Sequence, residues 1–172
     1  YNGYGLWFDI SEVPSSGIKS SGVKAINLKD DFVVSASIFD KNKEYVTIFT
    51  NNRTAKRVRL EEFEKSSRAR RGLLLLREVK TNPYKVIKTF IVDNHDYFGI
   101  KVGNTISSFK STEIPIADRY KTGSTISKDD IDDVFISKSL EEKVLNVNTE
   151  PEEEVEVLES DKEDMKPHQV SL

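Results

Sequence analysis

No cysteine occurs in the 172 residues, which rules out disulfides and thiolate metal sites and suits a reducing compartment. Histidine is nearly as scarce, and His95 and His168 stand too far apart in sequence to suggest a catalytic or metal-binding pair. The longest apolar run is Leu73 to Leu76, well short of the ~20 residues a helix needs to cross a bilayer. There is no P-loop, dinucleotide fingerprint or nucleophile elbow. The stretch "KDDIDDVF" offers Asp129, Asp130, Asp132 and Asp133 but lacks the spacing and glycine of a calcium loop; it reads as a solvated turn. The start "YNGYGLWF" carries neither Met nor a basic segment and reads as a chain cut within a longer protein rather than a signal peptide. These absences leave no catalytic residue, metal site or cofactor to expect in the chain itself.

What is present is charge, unevenly placed. Residues 139–172 hold 11 acidic against 3 basic residues, a net of −8, while residues 1–138 hold 23 basic against 18 acidic, a net of +5. A basic body therefore carries an acidic extension, and the whole-chain value of −3 hides both. The extension has few apolar residues and no aromatics, so it is expected to be disordered, with at most a marginal helix at "SKSLEEKVL".

The body repeats itself. With no gap, "FDISEVPSSGIKSSG" from Phe8 matches "VRLEEFEKSSRARRG" from Val58, pairing Ile10 with Leu60, Glu12 with Glu62, Val13 with Phe63 and Gly22 with Gly72. A third copy from Phe109 sets Glu113, Ile114, Pro115 and Gly123 at the same places. Between them, Asp40 matches Asp93 and Tyr45 matches Tyr97. A period of about 50 residues belongs to propeller blades and solenoid units. The repeats are expected over 1–50, 51–102 and 103–138, with the acidic tail over 139–172; the first is expected to lack a partner strand at its N-terminal side.

The copies also decide the secondary structure. "RLEEFEKSS" alone passes for a helix, but Pro14 and Pro115 follow the residues equivalent to Phe63. Proline there forces extended backbone before it, so the shared conformation is a short strand followed by a loop. "VVSASIF", "EYVTIF", "KVIKTFIV" and "YFGIKV" are rich in β-branched and aromatic residues and read as strands of hairpins. "LLLL" has no polar alternation and is expected to be a strand buried on both faces. The fold class is all-β.

Residues 51–90 hold 12 basic and 4 acidic residues, a footprint of phosphate-backbone binding; a merely solvated basic face is the alternative. Candidate DNA contacts are Lys19, Lys24, Arg53, Lys56, Arg57, Arg59, Arg68, Arg70, Arg71, Arg77, Lys80 and Lys85, with Arg119 and Lys121 in the third copy. Glycine-centred loops, "SGIKSSGVK" and "SSRARRGLL", recur at one place in each repeat and would line up as a strip. In the third, "ADRYKTGST", Asp118 weakens it.

The stretches "YGLWFDISEVPSSGIKSSGVKAINLKDDFVVSA" and "KRVRLEEFEKSSRARRGLLLLREVKTNPYKVI" closely resemble the C-terminal domains of the A subunit of DNA topoisomerase IV from Gram-positive, staphylococcus-like bacteria, a family related to the A subunit of DNA gyrase. The resemblance covers roughly residues 1–140. It implies a β-pinwheel of strand-exchanging blades whose basic outer rim binds and bends duplex DNA and presents it for ATP-dependent strand passage. It also implies partnership with the topoisomerase IV B subunit in a tetramer of two A and two B subunits, with ATP and Mg handled elsewhere in that assembly. A cytoplasmic, nucleoid-associated place follows, peripheral contact with the inner face of the membrane being a further expectation. None of Tyr1, Tyr4, Tyr45, Tyr84, Tyr97 or Tyr120 is expected to be the family's cleavage nucleophile. The Gln-Arg-Arg-Gly-Gly-type box of gyrase is present only as Arg70-Arg71-Gly72, which favours topoisomerase IV and weaker bending over a full wrap. The alternatives are a gyrase wrapping domain, or a protein-interaction propeller that binds an acidic partner.

Overall fold

A computed structural model describes residues 1–40 and 42–137; the expected acidic tail and its marginal helix lie outside these residues, apart from Ser137. Nine strands are described: β1 (Tyr4–Gly5), β2 (Tyr45–Thr50), β3 (Thr54–Arg59), β4 (Leu73–Leu74), β5 (Val86–Val92), β6 (Tyr97–Val102), β7 (Thr105–Lys110), β8 (Ser124–Thr125) and β9 (Asp133–Ser137). They form an antiparallel pair β1-β4, a four-stranded sheet β5-β2-β3-β8 and a three-stranded sheet β7-β6-β9.

The strands do not stay within their own repeat. The hairpin formed by β2, at the end of the first repeat, and β3, at the start of the second, receives β8 from the third, through Thr54↔Thr125 and Ala55↔Ser124. The same joint occurs one period earlier, where β1 receives β4 through Tyr4↔Leu74 and Gly5↔Leu73. Each of these two glycine loops thus ends in a two-residue strand that is lent backwards to the preceding repeat.

β2 explains why the repeats cohere. All six of its residues are buried, and alternation divides them between two cores. Tyr45 and Phe49 join Ala55, Val92, Phe98, Ile100, Ile114 and Val134 in a core shared with the third repeat. Val46 and Ile48 join Val58, Leu60, Phe63, Leu75, Leu76 and Val86, with Trp7, Val34 and Phe39 of the first repeat packed against them. Edge-to-face rings, Phe49 on Phe98 at 5.2 Å and Phe49 on Phe90 at 6.1 Å, knit the first core, adding about 0.5–1.5 kcal/mol each beyond area burial.

Three expectations are corrected. In each copy the segment expected as a short strand is a single 3-10 turn, at Ile10–Glu12, Leu60–Glu62 and Ser111–Glu113, the latter two directly after the six-residue strands β3 and β7. The extended residue that proline demands comes directly after it: Val13, Phe63 and Ile114 have ψ of 108, 115 and 119°, so Phe63 copies its sisters without a proline. Of the four leucines only Leu73 and Leu74 form a strand, and both are half-buried; Leu75 and Leu76, beyond it, carry the burial. "VVSASIF" forms no regular strand. It meets β5 through a side chain, Thr89 N–H donating to Ser35 Oγ at 3.1 Å, and so builds no backbone ladder there.

Candidate nucleic-acid interface

The glycine loops of successive repeats lie directly on one another, held by similar bonds at both junctions. At the first, Ser66 N–H donates to Trp7 O at 2.8 Å. Arg68 N–H donates to Glu12 Oε2 at 2.7 Å, and the Arg68 guanidinium to the carbonyls of Glu12 (3.0 Å) and Lys24 (2.5 Å). At the second, Ala117 N–H donates to Arg57 O at 2.9 Å, Arg119 N–H to Glu62 Oε2 at 2.9 Å, and the Arg119 guanidinium to Leu74 O at 3.1 Å. Ala69 N–H to Ala25 O and Asn27 N–H to Arg70 O, both 2.8 Å, close the first junction further. These loops have no sheet ladder, so neighbouring repeats satisfy their backbone groups.

This packing brings Lys24, Arg68, Arg70 and Arg71 together at one junction and carries the line on to Arg119 and Lys121 at the next. Lys24, Arg70, Arg71 and Lys121 are exposed. The Arg71 guanidinium lies 4.2 Å from the centroid of the Tyr4 ring, and Lys121 meets Asp118 at 3.3 Å, as its acidic neighbour in the sequence suggested. A cleft of about 300 Å³ opens beside this line, with Trp7, Lys65, Arg70 and Arg71 in its walls. The Lys65 ammonium hydrogen-bonds Asp9, which, with help from the Ser11 N–H, holds that carboxyl well below the usual carboxylate range.

Other candidates fall elsewhere. Lys19 is exposed in the first loop, and Arg77 and Lys80 are exposed after the leucines. Arg53 sits at the tip of the β2–β3 hairpin, donating to Lys128 O at 2.9 Å. Arg59 is at the other end of β3, near Glu61, roughly 20 Å away at ~3.3 Å per strand residue. Lys85 donates to Asn2 Oδ1 at 2.5 Å.

Two candidates are withdrawn as DNA contacts. Lys56 is 1% exposed and Arg57 5%. Lys56 Nζ lies among four carbonyl oxygens, of Arg119 (2.5 Å), Leu75 (2.7 Å), Lys121 (2.7 Å) and Asp118 (3.2 Å). Burial pushes this ammonium down to about 8. Arg57 donates through Nε to Ile114 O at 2.7 Å and through Nη1 to Asn94 Oδ1 at 2.8 Å, and lies over the Tyr45 ring. Burial lowers its pKa as well. Both spend their donors inside the protein because β3 is covered on both sides by neighbouring repeats. Arg68 and Arg119 are half-buried in the same service. No group of carboxylates and imidazoles able to hold a metal ion occurs among the described residues.

An all-β module of strands exchanged between successive repeats, joined by loops that bear arginine and lysine, is a propeller-type domain in its architecture. A family model described as the DNA gyrase C-terminal domain, beta-propeller, matches residues 2–40 and 44–93, and the chain belongs to that family. It is 42% identical to the A subunit of DNA topoisomerase 4 of Bacillus subtilis over 71% of its length, and 40% identical to that of Streptococcus pneumoniae over 69%. The Staphylococcus aureus protein is 29% identical over 78%. The chain spans 15%, 13% and 18% of those three relatives. A crystal structure of the C-terminal domain of DNA topoisomerase IV superposes with a TM-score of 0.73 at 34% identity, over 78% of this chain and 44% of that one. A DNA gyrase A C-terminal domain, at 17% identity and a TM-score of 0.64 over 77% of this chain and 47% of that one, shares the fold.

Proposed function

We propose that this chain is the DNA-binding and DNA-bending domain of a topoisomerase IV A subunit. It holds duplex DNA on its exposed loop cations for ATP-dependent strand passage by the rest of a type II enzyme, in decatenation, relaxation and chromosome segregation. The observation that carries this reading is the continuous line of glycine loops, with Lys24, Arg70, Arg71 and Lys121 exposed along it. Arginine suits this task because its planar fork holds a phosphate bidentately. Contacts of this kind position a duplex without reading its bases. In this reading the repeats run over 1–50, 51–102 and 103–138, ahead of the acidic segment 139–172. The B subunit, in a tetramer of two A and two B subunits, supplies ATP hydrolysis, and the assembly works on the nucleoid. Among the described residues no helix is long and apolar enough to cross a membrane.

The test is a salt titration of duplex DNA binding. The logarithm of affinity falls with log salt at about 0.9 per phosphate contact. Replacing Arg70, Arg71 and Lys121 together with alanine is expected to flatten that slope by about 2–3. Comparison with Lys56→Met separates surface from interior, since that variant leaves the number of phosphate contacts unchanged. A slope that ignores the triple variant would give the loops to an acidic protein partner instead.

A further inference from the structure

Two carboxylates sit inside the basic line of loops, where a polyanion would be repelled by them. Glu12 and Glu62 hold the same place in successive repeats, and both are half-buried or rim the loop they bind. We propose that they are positioning residues for the DNA-facing loops, each glutamate fixing the glycine loop of the repeat that follows. This deepens the DNA-binding reading and rests on it for its effect on DNA.

The geometry is repeated. Glu12 accepts from Arg68 N–H at 2.7 Å and Glu62 from Arg119 N–H at 2.9 Å. These amides belong to loop segments without a ladder, so the carboxylate stands in for a β-partner. The arginine that supplies each amide completes the clasp by turning its guanidinium back onto carbonyls of the preceding repeat, Glu12 and Lys24 for Arg68 and Leu74 for Arg119. A backbone N–H bonded to a carboxylate is a charge-assisted bond, about twice the strength of a neutral one. Two residues beyond each clasp stand Arg70 and Lys121, both exposed. The clasp therefore sets the backbone from which the phosphate-seeking side chains project, and a held loop loses less entropy when DNA binds.

Two departures from the pattern agree with this. The equivalent glutamate of the third repeat, Glu113, accepts instead from Lys110 N–H of its own repeat at 2.8 Å, capping its own 3-10 turn. The carboxylate thus has a local alternative, and Glu12 and Glu62 reach across where a following arginine loop lies against them. In the first repeat the arginine position is Ile18, fully exposed, and no glutamate among the described residues clasps it. Glutamate and arginine occur as a matched pair across each described junction.

The experiment compares alanine and glutamine at both positions in the 172-residue chain. Glutamine removes the charge and keeps an acceptor; alanine removes both. Amide exchange by NMR at Arg68 and Arg119 reads the clasp without DNA, and a DNA titration at fixed salt reads its consequence. The Glu12→Ala/Glu62→Ala variant is expected to exchange these two amides at least about tenfold faster while β2, β5 and β6 keep their protection. It is also expected to bind DNA about five- to tenfold more weakly despite losing two negative charges. The glutamine pair should bind more tightly than the alanine pair and retain amide protection. Equal or tighter binding by the alanine pair, with unchanged exchange, would reduce both residues to surface charges and overturn the proposal. If the alanine pair does not fold, Arg68→Lys decides: it keeps the charge but loses the fork, so weaker DNA binding supports the clasp and unchanged binding overturns it. A wild-type chain that ignores DNA at every salt would remove the functional reading alone, and the amide exchange would still decide the clasp.

Discussion

Replacing Gly72 with alanine is expected to lower the stability of this domain by more than about 3 kcal/mol, whereas the equivalent Gly22→Ala is expected to cost about 1–2 kcal/mol. Both glycines have positive φ, 83 and 78°, so the left-handed strain of an L-residue is common to them. They differ in surroundings. A Cβ on Gly72 would lie 2.2 Å from the Gly5 carbonyl oxygen, backbone that cannot step aside without opening the β1–β4 joint, while one on Gly22 meets nothing within 4 Å. Gly123, in the third loop, is intermediate in severity, its Cβ falling 2.7 Å from Ala55 O across the β3–β8 joint. Urea unfolding of the three variants is expected to rank them Gly72, Gly123, Gly22. Equal losses would mean that backbone conformation alone, and not the close approach of lent strands, makes glycine necessary. Against a typical domain stability of about 5–15 kcal/mol, the Gly72 variant stands near the edge of folding, and its loop with Arg70 and Arg71 is displaced with it.

The Lys56→Met variant is expected to lose about 3 kcal/mol of stability, with the balance decided by two opposing effects. Methionine removes the penalty on the buried ammonium, which a shift from 10.5 to about 8 sets at no more than about 3 kcal/mol. It also strips donors from the carbonyls of Leu75, Arg119 and Lys121, at about 1–3 kcal/mol for each buried oxygen left unpaired. The second effect is the larger. Arginine is a poor substitute, because a planar fork cannot point at oxygens that converge on one atom. The sign of the pH dependence follows from the same group. The folded form has the lower affinity for the proton, so between about 8 and 10.5 the unfolded chain binds more protons and the contribution of Lys56 to stability rises with pH, by up to about 1.4 kcal/mol per unit. Unfolding measured across that window is expected to show the rise in the wild type and its loss in Lys56→Met. Were Lys56 a phosphate contact instead, the variant would keep its stability and lower the salt slope of DNA binding by about 0.9.

Lys56 also shows where reading a chain stops. In "TAKRVR" nothing local distinguishes Lys56 and Arg57, which point to opposite faces of the strand, from Arg59, which is exposed. The difference is that β3 lies between two other repeats, with β2 and β8 as its neighbours. The irregular loop 118–121 presents carbonyls to one face and the segment after the 3-10 turn of the third repeat presents Ile114 O to the other. Buried backbone oxygens need donors, and long cationic side chains supply them. By the same logic, half-buried Arg68 and Arg119 are as much clasps as rim charges.

The order of residues was enough for the all-β class, the period, the extended backbone at 13, 63 and 114, the recurrent glycine at 22, 72 and 123, and the concentration of positive charge in the second repeat. Those features follow from proline and glycine backbone limits and from self-similarity, which act within a few residues or at a fixed offset. Packing of the repeats against one another decided the rest: that strands are lent between them, that "VVSASIF" builds no ladder, that two of four leucines carry the burial, and which cations face water. Those outcomes depend on what a neighbouring repeat places against a strand or loop, through hydrogen bonds spanning about 50 residues that no local pattern encodes.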